Sequence, residues 1–469
     1  MISRPRGGYA AGKGGTNMQI IIVGCGKVGK TLAERLSAEG HNLVVVDLSA
    51  QKVASVTDSL DVMGIVGNGA SINVLMDADI GNTDLLIAVT ASDELNLLCC
   101  LIAKKASGGC QTIARVRNPL YNREIGFIKE QLGISMVINP ELAAATEIAR
   151  LLRFPSAIKI DTFAKGRAEL LKFKLRPEFK LDGYSVMKLV SELRSDVLVC
   201  AVERGDEVFI PNGSFVLRDG DGVSIMATPQ EAASFFRKVG LETHQVRNTL
   251  IVGGGTISVY LARQLLEMGI DVHIIELKPE RCELLCRELP GATILNGDGT
   301  DQQFLLDEGL ANAESFVAVT NLDEENLLLG LFAKKHSKAK LVAKVNRISF
   351  DDVIDSLDLG SVIYPKYLTA DYIAQYVRAT QNSIGSNVET LYKILDNRAE
   401  ALEFYVRAES EVTETPLSEL DLKPNLLICC IHRQGKVIFP RGQNRIRVGD
   451  SVIIVTTCKG FHDIRDILR

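Results

Sequence analysis

Three glycines and an acid carry the first chemical signal in the chain. Gly24, Gly26 and Gly29 stand between a short apolar run, "IIIV" from Ile20, and a helix-forming stretch, and Asp47 closes the next apolar run, "LVVVD". In such a turn the first glycine permits the sharp bend, the second lets backbone approach a pyrophosphate, and the third lets the helix pack closely on the strand. Phosphates would sit on the helix N-terminus, opened by Lys27 and Val28, where unpaired N–H groups and the helix dipole favour negative charge. Asp47 would accept both ribose hydroxyls. No arginine follows it, so NAD or an adenosine nucleotide is favoured over NADP.

The same constellation returns in the second half. Gly253, Gly255, Thr256, Ile257 and Glu276 repeat the pattern, with Ser258 in the third glycine position. "VGNGA" with Asn68 and "NGDGT" with Asp298 follow the third apolar runs, and Thr90 and Thr320 follow the fourth. These are carboxyl ends of parallel strands, the edge where open α/β sheets bind ligands. Asp93, Glu94 and Asn96, and their counterparts Asp323, Glu324 and Asn326, open the next helix, either to complement its dipole or to touch a ligand. Arg115 and Lys344 end the fifth runs, where each is suited to neutralising a phosphate or to an interface ion pair.

Catalytic machinery does not accompany these sites. A dehydrogenase needs an acid–base group beside the hydride carbon and a substrate pocket. The six histidines, His41, His244, His273, His336, His432 and His462, occupy no matching positions in the two halves. Cys99 and Cys100 read as small buried hydrophobes, and Cys282 and Cys286 have neither a CxxC spacing nor a histidine partner. No catalytic residue and no metal ligand is assigned, so the nucleotide is expected to be bound and not consumed.

The elements that must position these residues are written twice. "IIIVGCGKVGKTLAERLSAEGHNLVVVD" recurs as "TLIVGGGTISVYLARQLLEMGIDVHIIE", "LLIAVTASDELNLLCCLIAKK" as "SFVAVTNLDEENLLLGLFAKK", and "VFIPNGSFVLRDGDGVSIMAT" as "VIFPRGQNRIRVGDSVIIVTT", at an offset of 229 to 230 residues. This is duplication of a two-part unit. In each unit apolar strands, near 19–24, 42–47, 62–66, 84–89 and 112–117 in the first, alternate with amphipathic helices, which predicts an α/β doubly wound parallel sheet. Short strands near 168–174, 197–203, 207–210 and 221–227, with helices at 184–193 and 229–237, predict a small α+β lobe. The intervals are a flexible tail at 1–17, a nucleotide-binding lobe at 18–139, a crossover helix at 140–155, a small lobe at 156–240, a second nucleotide-binding lobe at 247–364, a crossover helix at 365–384 and a small lobe at 385–469. Pro140 and Pro365 start the crossover helices, whose amphipathic faces suit packing on a neighbouring domain.

Composition narrows the partners. The 469 residues carry a formal net charge of −5 and a pI near 5.8, which disfavours nucleic acid. Ten cysteines without framework spacing point to reduced thiols in the cytosol. No apolar run approaches the roughly 20 residues that span a bilayer, so a membrane role must come through a partner. The Gly-rich, basic tail has no apolar core of a signal peptide. Its "GKGGT" (12–16) lacks both the Ser or Thr after Lys13 and the preceding strand of a P-loop.

Taken together, "GCGKVGKTLAERL", "VVVD", "VGNGA", "AVTASDELN" and "IARVRNP" with their second copies resemble the RCK-domain family of TrkA-type regulatory subunits of bacterial Trk potassium uptake systems. The resemblance covers residues 18–469. It implies, for each unit, a Rossmann-like RCK N-terminal lobe followed by a TrkA-C lobe, and NAD(H) with ATP and ADP as competing ligands. It also implies a homo-oligomeric ring, cytoplasmic and peripheral on the inner face of the membrane, partnered by a potassium-translocating membrane subunit. The alternatives are an NAD-dependent dehydrogenase, which the absent catalytic pair weakens, and an RCK-type regulator of another cation transporter.

Overall fold

A computed structural model describes residues 17–119, 121, 124–154, 157, 159–163, 167–193, 196–205, 207–239, 245–346, 353–354, 357, 359–382, 388–395, 398–461 and 463–469. The tail up to Thr16 with its Gly12–Thr16 motif, His244, His462 and the interval ends at 155, 156, 240, 384 and 385 lie outside the described residues.

The apolar runs of each nucleotide-binding lobe form a six-stranded parallel sheet. In the first lobe the spatial order is Met63–Val66, Asn42–Asp47, Gln19–Val23, Leu85–Ala88, Gln111–Arg115, Met136–Ile138. The second lobe repeats that order with Thr293–Asn296, Asp271–Glu276, Asn248–Val252, Ser315–Ala318, Lys340–Lys344, Ser361–Ile363. The order reverses between the first and fourth strands of each lobe, the switch point at which such sheets open a crevice. The central strands are fully buried because helices cover both faces: "QIIIV" and "LLIA" expose only Gln19. The three-residue sixth strands are too short for the apolar pattern to mark.

The small lobes are five-stranded antiparallel sheets. The first runs Glu207–Phe209, Leu198–Arg204, Gly222–Ala227, Ala168–Lys174, Lys159–Phe163, and the second Lys436–Ile438, Leu426–Arg433, Ser451–Thr456, Ala399–Tyr405, Val388–Ile394. In each, an arginine at the end of one strand grips a buried aspartate with two nitrogens, Arg204 with Asp221 at 2.8 Å and Arg433 with Asp450 at 2.7 Å. The two sheets share one apolar core, in which Phe163, Leu170 and Met226 meet Leu395, Cys429 and Val455.

The crossover helices exchange partners between units. Asn139 caps the helix Pro140–Arg153 by accepting from Leu142 N at 2.9 Å, with Pro140 in the first turn, where its missing N–H costs nothing. The Ala144, Ile148 and Leu152 face of this helix is buried in the same core as Ile257, Tyr260 and Leu261 of the second lobe. Reciprocally, Ala370, Ile373, Ala374 and Val377 of helix Pro365–Asn382 are buried with Leu32, Ala33 and Leu36 of the first. Each large apolar side chain buried in this way contributes about 1.5–3 kcal/mol. Ion pairs Arg35–Asp371 and Glu39–Arg378 edge the second contact.

Candidate nucleotide-binding sites

The first glycine turn lies at the switch point of its sheet. Gly24 N donates to Val46 O at 2.7 Å, and Gly24 adopts φ +107°, a conformation that disfavours any side chain. A methyl group there would meet Thr90 N at 2.9 Å, so Thr90 is the floor of the turn. On Gly29 a Cβ would lie 1.8 Å from the Gly24 carbonyl oxygen, which makes glycine obligatory where the helix meets the strand. Gly26 has the opposite surroundings, since nothing would touch a Cβ built on it. The space above the middle of the turn is open.

Helix Lys27–Ala38 begins at Gly26 without a side-chain cap, and helix Thr256–Glu267 begins at Gly255 in the same way. The first N–H groups of such helices have no intrahelical acceptor. Val28 is half-buried and Ile257 is buried against the crossover helix, so these two positions offer backbone, not side chain, to the open space.

Asp47 and Glu276 brace their turns identically. Asp47 Oδ2 accepts from Cys25 N at 2.8 Å and Oδ1 from Ser49 N at 2.9 Å. Glu276 Oε2 accepts from Gly254 N at 2.8 Å and Oε1 from Lys278 N at 2.9 Å. Each carboxylate oxygen retains lone pairs for further donors. The longer glutamate fits because its turn has Gly254 where the first has Cys25: a Cβ on Gly254 would stand 2.9 Å from Glu276 Oε2 and 2.5 Å from Leu285 Cδ1. Ser258 is accommodated differently again, its hydroxyl donating to the Gly253 carbonyl. Thr320 backs Gly253 as Thr90 backs Gly24.

Asn68 and Asp298 lie beside the acids, because the glycine before each is bonded to the acid's carbonyl, Gly67 N to Asp47 O at 3.0 Å and Gly297 N to Glu276 O at 3.1 Å. Both are exposed and form local turns, Asn68 accepting from Ala70 N and Asp298 from Thr300 N. The Thr300 bonds hold the Asp298 carboxyl below the usual carboxylate range. Leu48 and Leu277, each directly after its acid, are 69% and 62% exposed. Their matched exposure in the two copies is a feature that the motif reading missed, and the apolar residues directly after Asp47 and Glu276 were its signal.

The remaining sequence-marked residues hold the frame together. Asp93 is buried and accepts from Arg117 N at 2.9 Å and Asn118 N at 2.8 Å. Asn96 joins the ends of two strands, accepting from Thr90 N at 2.8 Å and donating to Arg115 O at 2.9 Å, as Asn326 does with Thr320 N and Lys344 O. Arg115 lies among Arg117, Glu141 and Asp93, on the side of the crossover helix. Burial, then Arg117, lowers its pKa, with Glu141 acting the other way. Lys344 is buried and donates to Val319 O at 3.3 Å. Among the described residues neither side chain bonds directly to the glycines, acid or threonine of its lobe; their link to Thr90 and Thr320 runs from the backbone carbonyl through Asn96 and Asn326.

Among the described residues no cluster of histidine, cysteine, aspartate and glutamate is arranged to hold a metal ion, and no helix is long and apolar enough to cross a membrane. His41 is buried, its pKa lowered by that burial, and His273 pairs with Asp271 at 3.2 Å on the second lobe's second strand.

This geometry can be set against known proteins. The TrkA-N domain model matches residues 20–140 and 249–365, and the TrkA-C domain model matches 178–240 and 401–469. The chain belongs to the TrkA family. One TrkA relative, the Trk system potassium uptake protein TrkA homolog 1 of Methanosarcina mazei, is 32% identical over 459 residues, which span 96% of this chain and all of that one. The Trk system potassium uptake protein TrkA of Haemophilus influenzae is 28% identical over 448 residues, 94% of this chain and 96% of that one. The TrkA fold seen here is shared with the crystal structure of the GsuK RCK domain, at a TM-score of 0.61 and 17% identity over 94% of this chain and 92% of that one. It is likewise shared with the GsuK channel bound to NAD, at a TM-score of 0.61 and 17% identity over 94% of this chain and 77% of that one.

Proposed function

We propose that the protein is the nucleotide-binding regulatory subunit of a potassium uptake system, gating flux through a separate membrane subunit in response to NAD(H) and ATP or ADP. The observation that carries this reading is reciprocal: each glycine-turn helix is packed against the crossover helix of the opposite unit. A ligand seated on one turn therefore acts on a helix that belongs to the other half of the molecule.

The residues fit a dinucleotide. The open space over Gly26 and Gly255 and the uncapped helix starts would take the phosphates on the N–H groups of Lys27, Val28 and Gly29, or of Thr256 and Ile257. Asp47 and Glu276 would hold the ribose, and Gly24 with Thr90, Gly253 with Thr320, Asn68 and Asp298 would shape the rim. Arg115, set back toward the crossover helix, would act on bound phosphate through its charge. The nicotinamide chemistry belongs to the cofactor; this chain's part is to bind, orient and transmit, with no turnover. Membership of a family named for potassium uptake supports the membrane translocating subunit as partner. A ring of copies on the inner face of the membrane, in the cytoplasm, extends the same reading.

A nucleotide alters transport only if it binds two conformations with different free energies. A coupling of about 1–3 kcal/mol would change flux several-fold to a hundredfold. The test is potassium flux through the partner reconstituted in vesicles with this protein, comparing no nucleotide, ATP, ADP, NAD and NADH. Flux is expected to differ among them; identical flux with binding confirmed would leave a scaffold that only holds nucleotide.

A further inference from the structure

We infer that Arg281 makes the two sites unequal, giving the second a guanidinium clamp for the purine base that the first lacks. This rests on the nucleotide reading above and goes beyond it by assigning base recognition to one site and one residue.

Arg281 stands in the first turn of the helix Pro279–Glu288, which follows directly on the strand that ends at Glu276. Its Nε donates to the Gly254 carbonyl at 2.8 Å, while the N–H of the same Gly254 donates to Glu276 at 2.8 Å. Turn, acid and arginine are thus joined through one residue. Gly254 lets Glu276 come this close to the turn, since a side chain there would collide with Leu285 and Glu276. Anchoring through Nε fixes the guanidinium plane. Among the described residues Arg281 forms no ion pair, and its terminal nitrogens have no protein acceptor.

With ribose hydroxyls on Glu276, the base attached to that ribose must lie beside the neighbours of Glu276 at the sheet edge. Those neighbours are Leu277, strongly exposed, and the half-buried Arg281. An apolar side chain next to a planar, weakly hydrated cation suits the face of an aromatic ring. A phosphate on the ribose is the poorer occupant, because the Glu276 carboxylate would repel it. In the first site the position of Arg281 is taken by Lys52, which is exposed and reaches no carbonyl of Cys25. An ammonium is a point charge without a plane. Gly254, Glu276 and Arg281 therefore form one set, and Cys25, Asp47 and Lys52 a different one.

The experiment is calorimetric titration of the full chain with ADP and with UDP, on an Asp47→Ala background so that the first site is weakened and the tighter phase reports the second. The ADP over UDP preference of that site should fall by about three- to thirtyfold in Arg281→Ala. Arg281→Lys should lose as much, because charge is kept and the plane is not. A preference unchanged in both Arg281 variants overturns the clamp, and so does one that Arg281→Lys restores, which would assign the arginine to a phosphate. Absence of any nucleotide binding by the unaltered chain is a separate result and overturns the nucleotide reading itself.

Discussion

The Tyr260 hydroxyl donates to the Arg117 carbonyl at 3.2 Å, tying the helix after the second glycine turn to the loop that closes the first lobe's fifth strand. Asn139, the cap of the crossover helix, donates to the same hydroxyl at 3.1 Å. Arg117 N is in turn held by Asp93, one helix start away from Thr90 and the first turn. Thr31 stands at the matching place in the other unit, where the ion pairs of Arg35 and Glu39 do the joining.

Tyr260→Phe should therefore destabilise the chain by about 1 kcal/mol, the net worth of a typical buried hydrogen bond. Chemical denaturation should show a lower midpoint at unchanged slope. An unmoved midpoint would remove the phenol from the joint.

The third position of each turn answers differently to alanine. Gly29→Ala must push the helix off the Gly24 carbonyl and should cost about 1–3 kcal/mol or more. Ser258→Ala keeps its Cβ and loses only the bond to Gly253, a cost of about 1 kcal/mol. Thermal unfolding of the two variants side by side checks the order; equal losses would contradict it.

Asp47→Ala should weaken nucleotide binding at the first site by about ten- to a hundredfold, from roughly 1.5–3 kcal/mol for hydrogen bonds to a charged acceptor. Part of that loss is indirect, because the carboxylate also steadies Cys25 N and Ser49 N. Asp47→Asn keeps one oxygen as an acceptor and should lose less. Titration calorimetry with ADP giving the same affinity for all three proteins would take Asp47 out of the site.

Glu147, buried on the crossover helix, has its pKa raised to about 7, first by burial and then by Asp161, with Arg150 at 3.4 Å opposing. The folded chain then holds a proton that the unfolded chain has released, so stability falls as pH rises from about 4.3 to 7. Below that window the penalty is absent. Glu147→Gln should flatten this part of the stability profile; a slope identical to that of the unaltered chain would locate the titration elsewhere.

What the sequence made legible follows from local rules. Gly24 and Gly29 were readable because a positive φ and a 1.8 Å approach admit no other residue, and the parallel sheets because their runs are apolar throughout. Asp93 and Asn96 were open to two readings, since a helix start and a strand end look alike until the chain folds. They pin Arg117 and Arg115, which lie about 20 residues further along. The strands Met136–Ile138 and Lys159–Phe163 were not foreseen: the first is too short to show a period, and the second takes its place only through pairing with Ala168–Lys174. The reach of Arg281 to Gly254 depends on a side chain folding back over a residue 27 places earlier, which no spacing rule records.

The shared core between the two small lobes, where Leu170 and Met226 meet Cys429 and Val455, has an evolutionary consequence. Two halves joined in one chain always meet each other in a one-to-one ratio, so at this contact neither half has to remain compatible with a copy of itself. Selection can then act on them as on two genes whose products never separate. Cys25 beside Gly254, Gly29 beside Ser258 and Lys52 beside Arg281 are divergences that a self-pairing dimer of a single unit would have to display on both sides at once.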